Sequence, residues 1–181
     1  DKLLPHCLSD YAAMIDKYPE CSLFHTNSQI IDASSKVIGI QESRPEVESA
    51  YSMLWHRMFG GRSKQFIGDF AFRTDTLRRV GGFADFPCGW HSDLVTECLV
   101  AEQGGVVNSI HYGFQYRNNT QTISNSAHYY KGKVEATLMA ADFFDDFLQR
   151  AQPKATTDDL FLTFIKEGLS GYVTENLKWY I

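Results

Sequence analysis

Residues 70–124 read FAFRTDTLRRVGGFADFPCGWHSDLVTECLVAEQGGVVNSIHYGFQYRNNTQTIS, and the order of signals in this stretch decides the fold. It opens on an extended segment over 66–73. Thr74 is placed to cap a short helix over 75–80, which Gly81-Gly82 stops. Ser92 stands ahead of a second helix over 93–103, which runs out at Gly104-Gly105. Residues 106–117 then alternate and are rich in β-branched and aromatic side chains, the pattern of a strand. The polar run 118–125 reads as a loop. Helices interleaved with strands in this way predict an α/β body.

Upstream, residues 3–18 place apolar side chains at helical spacing, with Pro5 tolerated in the first turn. Residues 21–31 predict a strand. Asp32-Ala33-Ser34-Ser35 predicts a turn and 36–40 a second strand, together a hairpin. Pro45 opens a helical stretch over 46–59 that Gly60-Gly61 ends. Downstream, two long helices are predicted over 127–151 and 157–177, separated by Pro153. One carries Phe143, Phe144, Phe147 and Leu148; the other carries Leu160, Phe161, Phe164 and Ile165. Those faces suit packing on the α/β body, and they also leave open a homo-oligomer built through the C-terminal helices or contact with a membrane surface. The division expected is 1–125 for the α/β part and 126–181 for a helical extension.

Composition narrows the function. The net charge of −5 gives no basic footprint for nucleic acid; short clusters such as 62–64 and Arg78-Arg79 do not amount to one. Cys7, Cys21, Cys88 and Cys98 form no CxxC pair, so neither a zinc site nor a thioredoxin motif is suggested. They read as reduced, mostly buried thiols, which points to a cytoplasmic protein. No apolar run reaches membrane-span length. The histidines lack HExxH spacing, and there is no phosphate-binding glycine loop and no nucleophile elbow, which argues against a zinc enzyme or a small α/β hydrolase.

One ordered set of residues carries a resemblance. Arg73, Leu77, Gly81, Gly82 and Phe83 are followed by Ser92-Asp93, by Gly104-Gly105, and by Tyr116-Arg117 ahead of Thr122-Ile123-Ser124. This order resembles the second half of family 2 glycosyltransferases of the GT-A fold. Asp1-Lys2-Leu3-Leu4-Pro5 resembles the continuation of that family's Asp-x-Asp motif. By that register Asp1 adjoins the metal-binding aspartate, which is missing. The resemblance covers about two-thirds of the chain, residues 1–124.

It implies a partial GT-A mixed sheet, like that of nucleotide-diphospho-sugar transferases, with flanking helices and a helical C-terminal tail. It implies an inverting enzyme of polysaccharide or other glycan synthesis, with a nucleotide-sugar donor and a glycan acceptor as partners, placed in the cytoplasm or at the inner face of the membrane. A divalent cation, Mg²⁺ or Mn²⁺, is implied for the full-length enzyme. The opening on Asp1 reads as an excised segment, expected to be inactive alone and to hold no cation.

The resemblance puts the catalytic base at Asp93. The family commonly has two adjacent acids there; His91-Ser92-Asp93 has one. Chemically, an acid suits a step in which an acceptor hydroxyl must lose its proton. Yet an aspartate near a helix start also gains from the exposed N–H groups, with no catalytic role. Trp90 and His91 are candidates for sugar contact or for loop packing. Arg117 and Arg73 are candidates for the donor diphosphate or for salt bridges. Gly81 and Gly82 read as structural, allowing positive φ. The rival reading is a non-catalytic binding or assembly module on a GT-A remnant.

Overall fold

The computed structural model describes residues 1–60, 65–119, 123–153 and 155–180. Gly61, the basic cluster at 62–64, Thr122 and Ile181 lie outside the described residues. The architecture is α/β: a mixed six-stranded sheet with flanking helices, ending in a helical region.

Two strands form the spine. β2 (Leu23–Ile31) and β6 (Val106–Arg117) run parallel, pairing Leu23 with Val106 and Ile31 with Arg117. The bounds of β6 are those its alternation predicts. β3 (Val37–Ile40) folds back antiparallel on the end of β2, as the hairpin reading expects, and β5 (Phe70–Phe72) lies antiparallel on its start. β1 (Lys2–Leu3) and β4 (Val47–Glu48) take the outer edge of β6.

Those two short strands shift two expected helices. Lys2 and Leu3 pair with Gln115 and Phe114, so the first helix, α1, starts only at Cys7 and runs Cys7–Lys17. Val47 and Glu48 pair with Val107 and Val106, so α2 is Ala50–Phe59 rather than 46–59. Buried Glu48 then gathers the polar groups around it. Arg44 donates to both of its oxygens at 2.7 Å, Asn108 Nδ2 at 2.8 Å and Ser52 Oγ at 3.1 Å.

The pleat sends successive residues to opposite faces. Leu23, Phe70 and Val106 face a core shared with α2, with α4 (Ser92–Gly104), and with α5 (Tyr130–Gln149) and α6 (Thr156–Lys178). Phe24 and Val107 face the other way, onto Cys7 and Tyr11 of α1. The sheet is thus the middle of three layers. Phe144, Phe147, Leu148 and Ile165 sit in the larger core, which is the packing on the body that their spacing favours, whereas Leu160 and Phe164 are exposed. All four cysteines are free, and three are buried. Among the described residues no helix is long and apolar enough to cross a membrane.

Capping differs from expectation in two places. Thr74 is the first residue of α3 (Thr74–Arg79), and Arg73 holds the cap position. Ser92 lies inside α4, and His91, in the left-handed region at φ 64°, precedes it. Gly81 and Gly82 take φ of 96° and 86°, the conformation their reading requires. A cap the sequence did not reveal is Ser49, whose Oγ accepts from Ser52 N at 3.1 Å and donates to Asp158 Oδ1 of α6 at 2.5 Å. Ser49→Ala is expected to cost about 1–2 kcal/mol. Urea unfolding would read this as a lower midpoint with an unchanged slope.

Candidate functional site

β2 and β6 end side by side, and a cleft of about 780 Å³ opens at their carboxyl ends. Crevices beyond the carboxyl ends of parallel strands are where open α/β sheets bind ligands. Ile30 and Tyr116 come from the strand ends, and Asp1 and Asn118 flank them. The end of α2 contributes Arg57, the turn before β5 contributes Phe66, and the approach to α4 contributes Trp90, His91 and Asp93. Phe66 and Tyr116 stack face to face, with centroids 3.8 Å apart and planes 7° apart, and stiffen one wall.

Asp93 sits in the first turn of α4 with its side chain 30% exposed. Its Oδ1 accepts from Leu94 N at 2.9 Å, a helix-start contact. Its Oδ2 accepts from Arg57 Nη2 at 3.3 Å. Arg57 Nη1 also donates to the Gln65 carbonyl at the cleft wall. Asp93 thus serves as a helix-start acid while keeping part of its surface toward the cleft.

His91 is buried, which pushes its pKa down to about 4, with Asp93 opposing and Arg57 assisting the shift. The ring is therefore neutral at neutral pH. Thr137 Oγ1 gives its hydrogen to the Lys133 carbonyl, so at 3.1 Å it can only accept from His91 Nε2. That places the proton on Nε2 and leaves Nδ1 as the acceptor nitrogen. Trp90 is held by packing. Its ring meets Tyr180 edge-on at 6.1 Å, and the Lys133 ammonium lies 4.9 Å from its centroid. Tyr130 and Tyr180 enclose the same ammonium at 5.4 and 5.5 Å, and Lys133 Nζ also donates to the Ser124 carbonyl at 3.1 Å. Both packing and cleft contact are thus realised at Trp90.

The two other arginines go elsewhere. Arg117 turns back on the β2–β3 hairpin, donating to the carbonyls of Asp32 at 2.7 Å and Ala33 at 3.0 Å and to Ser35 Oγ at 2.9 Å. Arg73 donates to the Cys21 carbonyl at 2.5 Å and lies over the Phe24 ring. Neither is among the residues that line this cleft, and both brace the backbone. Their fork of donors meets carbonyl groups already fixed by the sheet.

Glu97 is the group the sequence reading missed. It lies one helical turn beyond Asp93 on α4, is 0% exposed, and has no hydrogen-bond partner for either carboxyl oxygen. Burial pushes its pKa up to about 8, with Arg57 pulling the other way. The spacing of four from Asp93 was legible. Its burial was not, since that depends on how α4 packs against α2 and the sheet.

The cation that the resemblance implies does not find a complete set of ligands here. Among the described residues no three His, Cys, Asp or Glu side chains cluster to hold a metal. Of the two cleft carboxylates, Asp93 is engaged by Arg57, and Asp1 Oδ1 accepts from Arg117 N at 2.7 Å. Set against models of protein families and against curated proteins, the sequence matches none of them.

Proposed function

We infer that this cleft is the acceptor side of an inverting, GT-A-type glycosyltransferase of family 2, with Asp93 as the base. The observation that carries the reading is convergence. Asp93 and Asp1, which the resemblance picks out some ninety residues apart, line one cleft with Trp90 and His91 at the carboxyl ends of two parallel strands.

In the step proposed, the acceptor oxygen bonds to the anomeric carbon as the bond from that carbon to the donor's diphosphate oxygen breaks. The hydroxyl proton passes to an Asp93 oxygen, and the electron pair leaves on the nucleoside diphosphate. A carboxylate within hydrogen-bond reach of the hydroxyl is suited to this task. Trp90 offers an apolar face for a sugar ring, and neutral His91 offers a hydrogen-bonding nitrogen beside it. Arg57 supplies positive charge at the cleft floor.

The test is a donor screen on the longest natural polypeptide that contains this chain. Uridine- and guanosine-diphosphate sugars are supplied with Mn²⁺ and a panel of glycan acceptors. The expected result is release of nucleoside diphosphate that depends on one acceptor. No turnover with any donor would overturn the reading in favour of a non-catalytic binding or assembly module.

A further inference from the structure

Asp93 and Arg57 line the cleft, and a second carboxyl group, Glu97, lies buried beneath them. Asp93 and Glu97 lie one turn apart on α4, and Arg57 approaches from α2. Asp93 has its Arg57 contact at 3.3 Å and its Leu94 N–H. Glu97, fully buried, has no hydrogen-bond partner among the described residues. A buried carboxyl group in that condition costs free energy when ionised and must either stay protonated or draw in a cation.

We propose that Glu97 is a positioning residue whose carboxyl competes with Asp93 for Arg57, and so sets whether Arg57 restrains the Asp93 carboxylate. While Glu97 keeps its proton, Arg57 stays on Asp93 and occupies its Oδ2. When Glu97 loses its proton, its new charge attracts the guanidinium away from Asp93. The Asp93 oxygen is then free to accept.

The surroundings leave Arg57 as the group that responds. On α4, Cys98 is held neutral by burial. From the turn before β5, Asp69 is committed to Ser28 Oγ at 2.7 Å and Phe66 N at 3.1 Å. Arg44, ahead of β4, is bound to Glu48 through both oxygens. On α6, burial pushes the Tyr172 hydroxyl up, and it stays neutral. Neutral His91 completes the ring. Burial weighs against the Arg57 charge, but Glu97, and then Asp93, more than offset it and hold its pKa up.

The link to catalysis rests on the sugar-transfer reading, so the test reads no activity. Carboxyl ¹³C of glutamate and side-chain ¹⁵N of arginine are followed by NMR in the full chain from about pH 6 to about pH 10. Arg57 is expected to shift in the same step as Glu97, and in Glu97→Gln that Arg57 step is expected to vanish. In Arg57→Gln the Glu97 step should move up by about 1–3 pH units, since an attracting charge is lost. An Arg57 signal flat through the Glu97 step, an Arg57 step persisting in Glu97→Gln, or an unmoved Glu97 step in Arg57→Gln would each overturn the inference. None of these outcomes bears on whether sugar is transferred, and a failed donor screen would leave the measured coupling intact.

Discussion

Asp93→Asn is expected to lower the rate of sugar transfer by about a hundred- to ten-thousand-fold while leaving the acceptor KM within a few-fold of the wild type. The amide keeps the shape of the side chain and can still accept from Leu94 N, so α4 should start as before. What it lacks is an oxygen basic enough to take the acceptor's proton. The lost ion pair with Arg57 is partly exposed on both sides, at 17% and 30%, and such pairs contribute only about 0–1 kcal/mol. Melting temperature should therefore change little, which separates a chemical defect from a folding one. Steady-state kinetics on the active donor–acceptor pair checks this, and a variant with unimpaired kcat would remove Asp93 from the role of base.

Glu97→Gln should make the protein more stable than the wild type in alkaline solution and leave it nearly unchanged in acid. Burial, opposed by Arg57, raises the Glu97 pKa from an ordinary 4.5 to about 8, so the folded chain holds a proton that the unfolded chain releases. The stability tied to that proton is fully present below about pH 4.5 and is lost as pH rises through about 8. Glutamine resembles the protonated form and has nothing to lose. The two proteins should match near pH 4.5 and differ by about 3–5 kcal/mol above pH 8, with the variant ahead. Other titrating groups act in both proteins and cancel in the difference. Urea unfolding at a series of pH values measures it directly, and parallel stability curves would show that Glu97 ionises as an ordinary carboxyl group does.

The two results bear on how far the sequence could be read. β6 was legible to the residue because its pattern is local: alternating β-formers after Gly104-Gly105. The β2–β3 hairpin was legible from Asp32 to Ser35 for the same reason. The true starts of α1 and α2 were not legible, because Lys2-Leu3 and Val47-Glu48 are claimed by β6, far away in sequence, and nothing nearby announces that pairing. Asp93, Trp90 and His91 were found through a pattern of neighbours, and they do share one cleft. The partners of Arg73 and Arg117 were not legible, because an arginine's partner is a matter of tertiary position. The carbonyls of Cys21, Asp32 and Ala33 reach them first. Glu97 carried no local signal, since burial through the packing of α4 leaves no mark on the residues beside it.

The ammonium of Lys133, walled in by Trp90, Tyr130 and Tyr180, ties together pieces of chain that are distant in sequence. A positive charge withdrawn from solvent is tolerated only while its aromatic company stays in place. Tyr180 follows the last turn of α6, and Trp90 belongs to the cleft wall. Through that one ammonium the end of α6 is joined to the wall of the cleft.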